Sequence, residues 1–284
     1  MPNTRPILAY VLMALSLLML VSIWSTDALA INLTVLGLVS MFCFAPLSRF
    51  EPLATFGAVH LDFRHLGAGL LVLAALLVLI FPGADAAVSM AYYQGERFVG
   101  AEVARFFSHH INRNIAILGL LGAVVVVPVW LIWRQPWLSR WAETLGLFFA
   151  AQVTLMFVVV HGFLKPFFGR SRPRHISEQL AEGQVEPWWQ LGTECARNCS
   201  MPSGEASAGF ACLAAAMAWN RGRLVPSLIF TLVFGFALGF IRIIGGAHYA
   251  SDVVMSAVFM MPLSYGLWWL YQKALGWWQG RTNA

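Results

Sequence analysis

Arg242-Ile243-Ile244-Gly245-Gly246-Ala247-His248-Tyr249-Ala250-Ser251-Asp252 is a polar stretch set between two apolar runs, 224–241 and 253–271. Each run is close to the length a helix needs to cross a hydrocarbon layer. A helix also satisfies its own backbone polar groups inside lipid. The stretch therefore reads as the mouth of two membrane helices, and it sets the fold class: all-α, a polytopic helical bundle. Its Arg, His and Asp stand at spacings of six and four. If His248 and Asp252 share a helical turn, their side chains meet on one face. That geometry lets a carboxylate orient an imidazole nucleophile.

The composition agrees. Of 284 residues, 59% are hydrophobic and 11% charged, with a mean hydropathy of +0.71. A soluble domain carries about 25% charge. Eight spans are expected, at roughly 7–24, 29–47, 66–82, 115–133, 143–164, 206–219, 224–241 and 253–271. The first run, about 18 residues, is long for a signal peptide. Ala28-Leu29-Ala30 is a weak cleavage candidate, so a retained span is expected. Twelve Trp cluster near span ends, as an interfacial belt does. The net charge of +5 is a topology signal, because no basic stripe with interleaved aromatics lies in a soluble segment. Nucleic acid is therefore not an expected partner; membrane lipids are.

With the N-terminus inside, nine Lys or Arg fall on each side, so the count alone does not orient the chain. Four of the outer ones, Lys165, Arg170, Arg172 and Arg242, lie in candidate site motifs, where function would explain them. The short loops place Arg134 and Arg140, and Arg221 and Arg223, on one side. The motifs are therefore expected on the far side, facing the periplasm of a bacterial inner membrane if the host is Gram-negative.

Between Ala84 and Asn114, Phe98, Val99, Val103, Phe106 and Phe107 recur at helical spacing among Glu96, Glu102 and Arg105. This reads as an amphipathic helix, either lying on the membrane face or packed as a cover on the bundle. His109 and His110 read as a solvated pair, since no Cys or carboxylate repeat accompanies them. The loop from Phe167 to Met201 carries Cys195 and Cys199. On an oxidising side they are candidates for a disulfide; free thiols are the alternative. Cys43 and Cys212 read as small core residues.

Three motifs carry the chemistry. Lys165 and Arg172 flank the loop leaving the fifth span, and an Arg next to Pro173 suits a clamp on phosphate oxygens. Arg170 and Arg174 contact a second phosphate or are solvated. Pro202-Ser203-Gly204 opens a helix: Ser203 can cap it, Gly204 admits close approach, and free N–H groups bind an anion. In the third, Arg242 would bind phosphate oxygens, His248 would attack phosphorus and Asp252 would orient it. The cations supply charge stabilisation, so no metal or other cofactor is required.

Lys-x6-Arg-Pro, Pro-Ser-Gly-x and Arg-x5-His-x3-Asp, in that order, resemble the motifs of the type 2 phosphatidic acid phosphatase (PAP2) superfamily. The resemblance covers roughly residues 66–272. It implies a six-span catalytic core over 66–272, a two-span extension over 1–65 and a cytoplasmic tail over 273–284. It also implies a lipid phosphate or diphosphate as substrate: lipid A, undecaprenyl diphosphate, phosphatidylglycerophosphate or phosphatidic acid. The family usually reads Pro-Ser-Gly-His, and its His resembles the general acid. Here the residue is Glu205. Three readings are open: a buried acid with a raised pKa, a leaving group that needs little protonation, or an impaired enzyme. His175, three residues past Arg172, is a candidate substitute acid. Two other functions stay in view: a phosphotransferase that passes the phosphoryl group to another lipid, and a non-catalytic lipid-phosphate binder or transporter. Oligomeric state is open.

Overall fold

The computed structural model describes residues 33–34, 37–38, 54–56, 59–61, 63–133, 135–182, 184–192, 195 and 199–282. The two N-terminal spans expected at 7–24 and 29–47, and Cys43, fall outside the described residues. The chain forms two compact units, Met1–Ala91 with Glu178–Pro187, and Tyr92–Ser177 with Trp188–Ala284.

In the first unit, β1 (Ala54–Phe56) and β2 (Val59–Leu61) pair antiparallel, a short hairpin that an all-α expectation did not include. Helices α1 (Phe63–Ile80) and α2 (Pro82–Met90) follow. The span expected at 66–82 is thus one arm of a pair bent by 106°. Pro82 explains the break: it has no N–H to donate and suits the first turn of a new helix.

The second unit is helical. Its elements are α3 (Ala101–Phe106), a wider-turned segment Phe107–Asn112, α4 (Arg113–Trp133), α5 (Pro136–Ala151) and a second wide-turned segment Gln152–Leu164. Then come α6 (Lys165–Phe168), a 3₁₀ turn Pro173–His175, α7 (Ser177–Ala181, at the unit boundary), α8 (Gly204–Ala211), α9 (Leu213–Trp219), α10 (Leu224–Ile244) and α11 (Ala250–Thr282). Among the described residues, three stretches are long and apolar enough to cross a membrane: Pro136–Phe168, Leu224–Ile244 and Ala250–Trp277. The α1–α2 pair makes a fourth if it is one span. The protein is a multi-pass membrane protein.

The span expected at 206–219 is instead two short helices that break at Cys212. Every residue from Leu213 to Ala218 is buried, and so are Ala206, Ser207, Gly209, Phe210 and Ala211. A helix apolar on all sides belongs inside a bundle, and α8 and α9 accordingly pack against α5, α10 and α11. By contrast, α10 has two faces. Val225, Ile229, Val233, Phe236 and Phe240 are exposed at helical spacing, while Ser227, Thr231, Gly235, Gly239 and Arg242 are buried. Small residues on the inner face let backbones approach. A Cβ on Gly209 would stand 2.7 Å from Gly235 Cα, so the α8–α10 crossing requires glycine there.

The amphipathic segment read at 98–107 packs on the bundle as a cover. Gly100 N donates to Ile244 O at 3.0 Å, and a Cβ on Gly245 would come within 2.4 Å of Ala104 Cβ. The helix then runs through Phe107–Asn112 directly into α4.

Candidate active site

The turn between α10 and α11 places the central residues. Arg242 sits in the last turn of α10 and Asp252 in the first turn of α11. Gly246 closes the turn with φ +63°, and a Cβ there would meet the Phe98 ring at 2.3 Å. Both facts demand glycine. His248 follows, 1% exposed, and Asp252 is fully buried. Asp252 Oδ2 accepts a hydrogen bond from Tyr249 N at 2.9 Å, the reach-back of a residue in a helix's first turn. The same oxygen stands 3.6 Å from His248 Nδ1. That is an ion-pair separation, longer than a formed hydrogen bond, and such contacts tighten when substrate binds.

A buried carboxylate needs partners, and Asp252 has several. Arg170 Nη1 donates to Oδ1 at 2.8 Å and to Ser251 Oγ at 2.7 Å. Its guanidinium lies 3.9 Å from the centre of the Tyr249 ring. Ser200 Oγ donates to Oδ2 and lies 3.5 Å from His248 Nδ1. The reading of Arg170 as a contact for a second phosphate or a solvated cation is therefore corrected: it is 1% exposed and spent on Asp252. Spacing gave no hint of this, because residue 170 reaches across 82 positions.

A cavity of about 660 Å³ opens above His248. Lys165, Arg172, Gly204, Glu205 and Arg242 line it together with His248. Lys165 is buried and its Nζ donates to Cys199 O at 2.6 Å. Cys199 is joined to Cys195, with Cα atoms 5.5 Å apart. Gly169, at φ +56°, turns the chain after α6, where a Cβ would run into Gly192 O at 2.1 Å. Arg172 is then extended ahead of Pro173. Burial, and next the neighbouring Arg174 cation, push the Arg172 guanidinium down to about 10, which leaves it charged at neutral pH. Arg174 also lines the cavity, and its backbone N donates to Gly246 O at 3.0 Å. His175 is not among the lining residues; burial and then Arg174 and Arg172 lower its pKa.

Ser203 departs from expectation. It precedes α8 but makes no side-chain cap, and its fully buried Oγ has no partner among the described residues. It also lies outside the cavity lining, whereas Gly204 is part of it. Ser203's backbone does the positioning instead. Its N donates to Asp252 O at 3.4 Å and its O accepts from Ser256 Oγ at 3.2 Å.

Glu205 faces Arg242. Its Oε2 lies 3.3 Å from Arg242 Nε, and its Oε1 accepts from Ser108 Oγ at 3.0 Å. Arg242 Nη1 donates to the same Ser108 oxygen at 2.6 Å. Burial raises the Glu205 carboxyl, but Arg242, His248, the helix start and Ser108 outweigh it and hold the pKa below the ordinary value. The reading of Glu205 as a buried acid with a raised pKa is therefore corrected: its carboxyl is held below the ordinary value. Ser108 was invisible in the sequence, as it belongs to no motif and lies 97 positions from its partner. Among the described residues no group of three or more His, Cys, Asp or Glu is arranged to hold a metal ion.

Residues 144–275 match the PAP2 superfamily. Over that segment the chain is similar to PAP2-type membrane phosphatases, a metal-independent family. Lipid A 4'-phosphatase of Francisella tularensis subsp. novicida (strain U112) is 29% identical, over 69% of this chain and 90% of the relative. No solved structure matches. The PAP2 segment includes the motif residues from Lys165 to Asp252 and leaves out Ser108.

Proposed function

We propose that this PAP2 phosphatase removes a phosphate from a lipid headgroup, with lipid A as first candidate substrate, through a phosphohistidine on His248. The observation that carries the reading is one arrangement. His248 lies beside a fully buried Asp252 on the wall of a cavity lined by Lys165, Arg172 and Arg242. The name of the bacterial relative supports lipid A over the other lipid phosphates. The finer architecture belongs to the same proposal: a six-span core with two N-terminal spans, set in a bacterial inner membrane with the cavity toward the periplasm.

In the first step the phosphoryl group is held by Lys165, Arg172 and Arg242, with the Gly204 backbone at the start of α8. Asp252 faces Nδ1, so Nε2 is the free nitrogen of His248 and attacks phosphorus. The Nε2–P bond forms and the P–O bond to the lipid breaks. Glu205 protonates the departing oxygen. In the second step Glu205, now a carboxylate, takes a proton from water as that water attacks phosphorus, and the Nε2–P bond breaks.

The test is phosphate release by purified protein from lipid A, undecaprenyl diphosphate, phosphatidylglycerophosphate and phosphatidic acid, beside His248→Ala. Release from lipid A that disappears in His248→Ala is expected. Turnover of another lipid with none from lipid A would overturn the substrate, and turnover that survives in His248→Ala would overturn the nucleophile.

A further inference from the structure

Ser108 sits on the Phe107–Asn112 segment, outside the residues that match the superfamily, yet its hydroxyl lies between two site residues. It accepts from Arg242 Nη1 at 2.6 Å and donates to Glu205 Oε1 at 3.0 Å. With Arg242 Nε 3.3 Å from Glu205 Oε2, the three groups form a closed ring. Arg242 thus pairs with a carboxylate of the chain itself where the proposed mechanism binds a phosphate oxygen. The Nε–Oε2 contact is an ion pair without a hydrogen bond, so a phosphate dianion that binds the same guanidinium and its N–H donors competes with the carboxylate for the cation and repels it.

Glu205 also presents a chemical conflict. An acid that protonates a leaving oxygen must carry a proton, but this carboxyl is surrounded by charge that removes it. Arg242 and His248 face it from the α10 end and the following turn, Lys165 and His161 from the long helix Pro136–Phe168, and Arg172 and Arg174 from the loop beyond. A bound dianion would neutralise several of these cations at once. The Glu205 carboxylate would then lose its partner and gain an anionic neighbour, both of which favour protonation.

We infer that Ser108 and Arg242 form an exchange site, which holds the Glu205 carboxylate while the cavity is empty and passes to the phosphate oxygens when substrate enters, Glu205 taking one proton from solvent as it is released. The inference rests on the phosphatase reading above and supplies the step it lacks. The proton taken up at binding is the one given to the leaving oxygen when the Nε2–P bond forms. The carboxylate so produced accepts a proton from the attacking water. When inorganic phosphate departs, Glu205 sheds that proton and returns to Arg242 and Ser108. Ser108 is a positioning residue in the empty state and a phosphate ligand in the filled one.

The probe is tungstate, a tetrahedral dianion that does not titrate near neutral pH. Its binding to the purified full-length protein is measured by calorimetry in buffers of different ionisation enthalpy, which counts protons taken up. Wild type is expected to take up about one proton per tungstate, and affinity rises up to about tenfold for each unit that pH falls. Glu205→Gln takes up roughly none and shows a flat pH dependence. Ser108→Ala binds tungstate about tenfold more weakly and Ser108→Thr recovers most of the loss. A fold defect does not imitate this pattern, because the proton count is per bound tungstate. Binding without proton uptake in wild type, or equal uptake in Glu205→Gln, overturns the exchange and leaves the phosphatase reading standing. Equal affinity in Ser108→Ala removes Ser108 from it. No tungstate binding by wild type overturns the exchange and the anion-binding cavity together.

Discussion

Replacing Arg170 with Met separates a cation that binds substrate from one that holds the machinery. Arg170 and Asp252 are buried side chains, 2% and 0% exposed, with Nη1 and Oδ1 2.8 Å apart. Removing one partner leaves a carboxylate inside the bundle. Ser200 Oγ and Tyr249 N still donate to Oδ2, but the charge compensation on Oδ1 is gone. Breaking a buried pair from one side costs about 3–5 kcal/mol. Expressed on the rate, the same energy is a loss of roughly two to four powers of ten. Arg170→Met should therefore lose both thermal stability in detergent and turnover. Arg172→Met, which takes a cation from the cavity wall, should lose mainly turnover. The double variant Arg170→Met/Asp252→Asn removes both charges. It should regain much of the stability of the single variant and none of its activity, because the energy belongs to the orphaned charge. The assay is unfolding followed by tryptophan fluorescence, paired with phosphate release at saturating lipid. Wild-type stability and turnover within threefold in Arg170→Met would refute the reasoning, as would a double variant no more stable than the single.

Burial, and then the Lys165 and Arg172 cations, hold the His248 imidazole below the ordinary histidine range. The proposed nucleophile thus stays neutral as pH falls, and phosphoenzyme formation in a single turnover should persist below about pH 6.5; an acid limb at 6.5 or above would contradict this. The stability sign is opposite. Below about pH 6.5 the unfolded chain binds a proton at this position that the folded chain refuses, so stability falls with pH, and His248→Gln should flatten that limb of a denaturation series. Gly246→Ala meets Phe98 and a φ of +63°, so it should cost about 1–3 kcal/mol and displace His248, read as lower melting temperature and lower kcat together. Cleaving the Cys195–Cys199 bond loosens the Cys199 carbonyl that holds Lys165 Nζ, and should raise KM about fivefold on treatment with reductant. Cys195→Ser should reproduce that rise, and reductant should then add nothing.

Lys165, Arg172, Gly204, Glu205, Arg242 and His248 could be read from the chain because each carries its chemistry in its own residue type, at short spacing to a neighbour. All six line one cavity. The spans Leu224–Ile244 and Ala250–Trp277 were legible for a similar reason, since a continuous apolar run has little alternative to a membrane helix. What escaped is relational. Arg170 looks like Arg172 in sequence, and only the packing of α11 turns one inward to Asp252 and leaves the other on the cavity wall. Ser203 has the residue type of a helix cap, but tertiary contacts use its backbone and leave its hydroxyl uncapped. Ser108 and Ser200 are ordinary serines whose roles come from partners 97 and 52 positions away. The stretch 206–219 was legible as apolar helix, but its break at Cys212 and its burial on all sides were not, because hydropathy does not distinguish lipid from protein as surroundings.

The Arg170–Asp252 bond has a meaning for biosynthesis. Asp252 gathers side chains from positions 170 and 200 and the backbone of 249 into one buried point. A nascent chain that ends before α11 carries Arg170 and Ser200 without the group that organises them. It carries the cationic wall of the cavity and His248, but not the Asp252 carboxylate beside that imidazole. On the proposed mechanism the enzyme is therefore expected to be inert while it is threaded into the bilayer, and to become active when its last site helix arrives on the same side as the others. A span inserted backwards would strand one end of this bond across the membrane from the other. Phosphatase activity in a mixed population thus counts correctly threaded molecules.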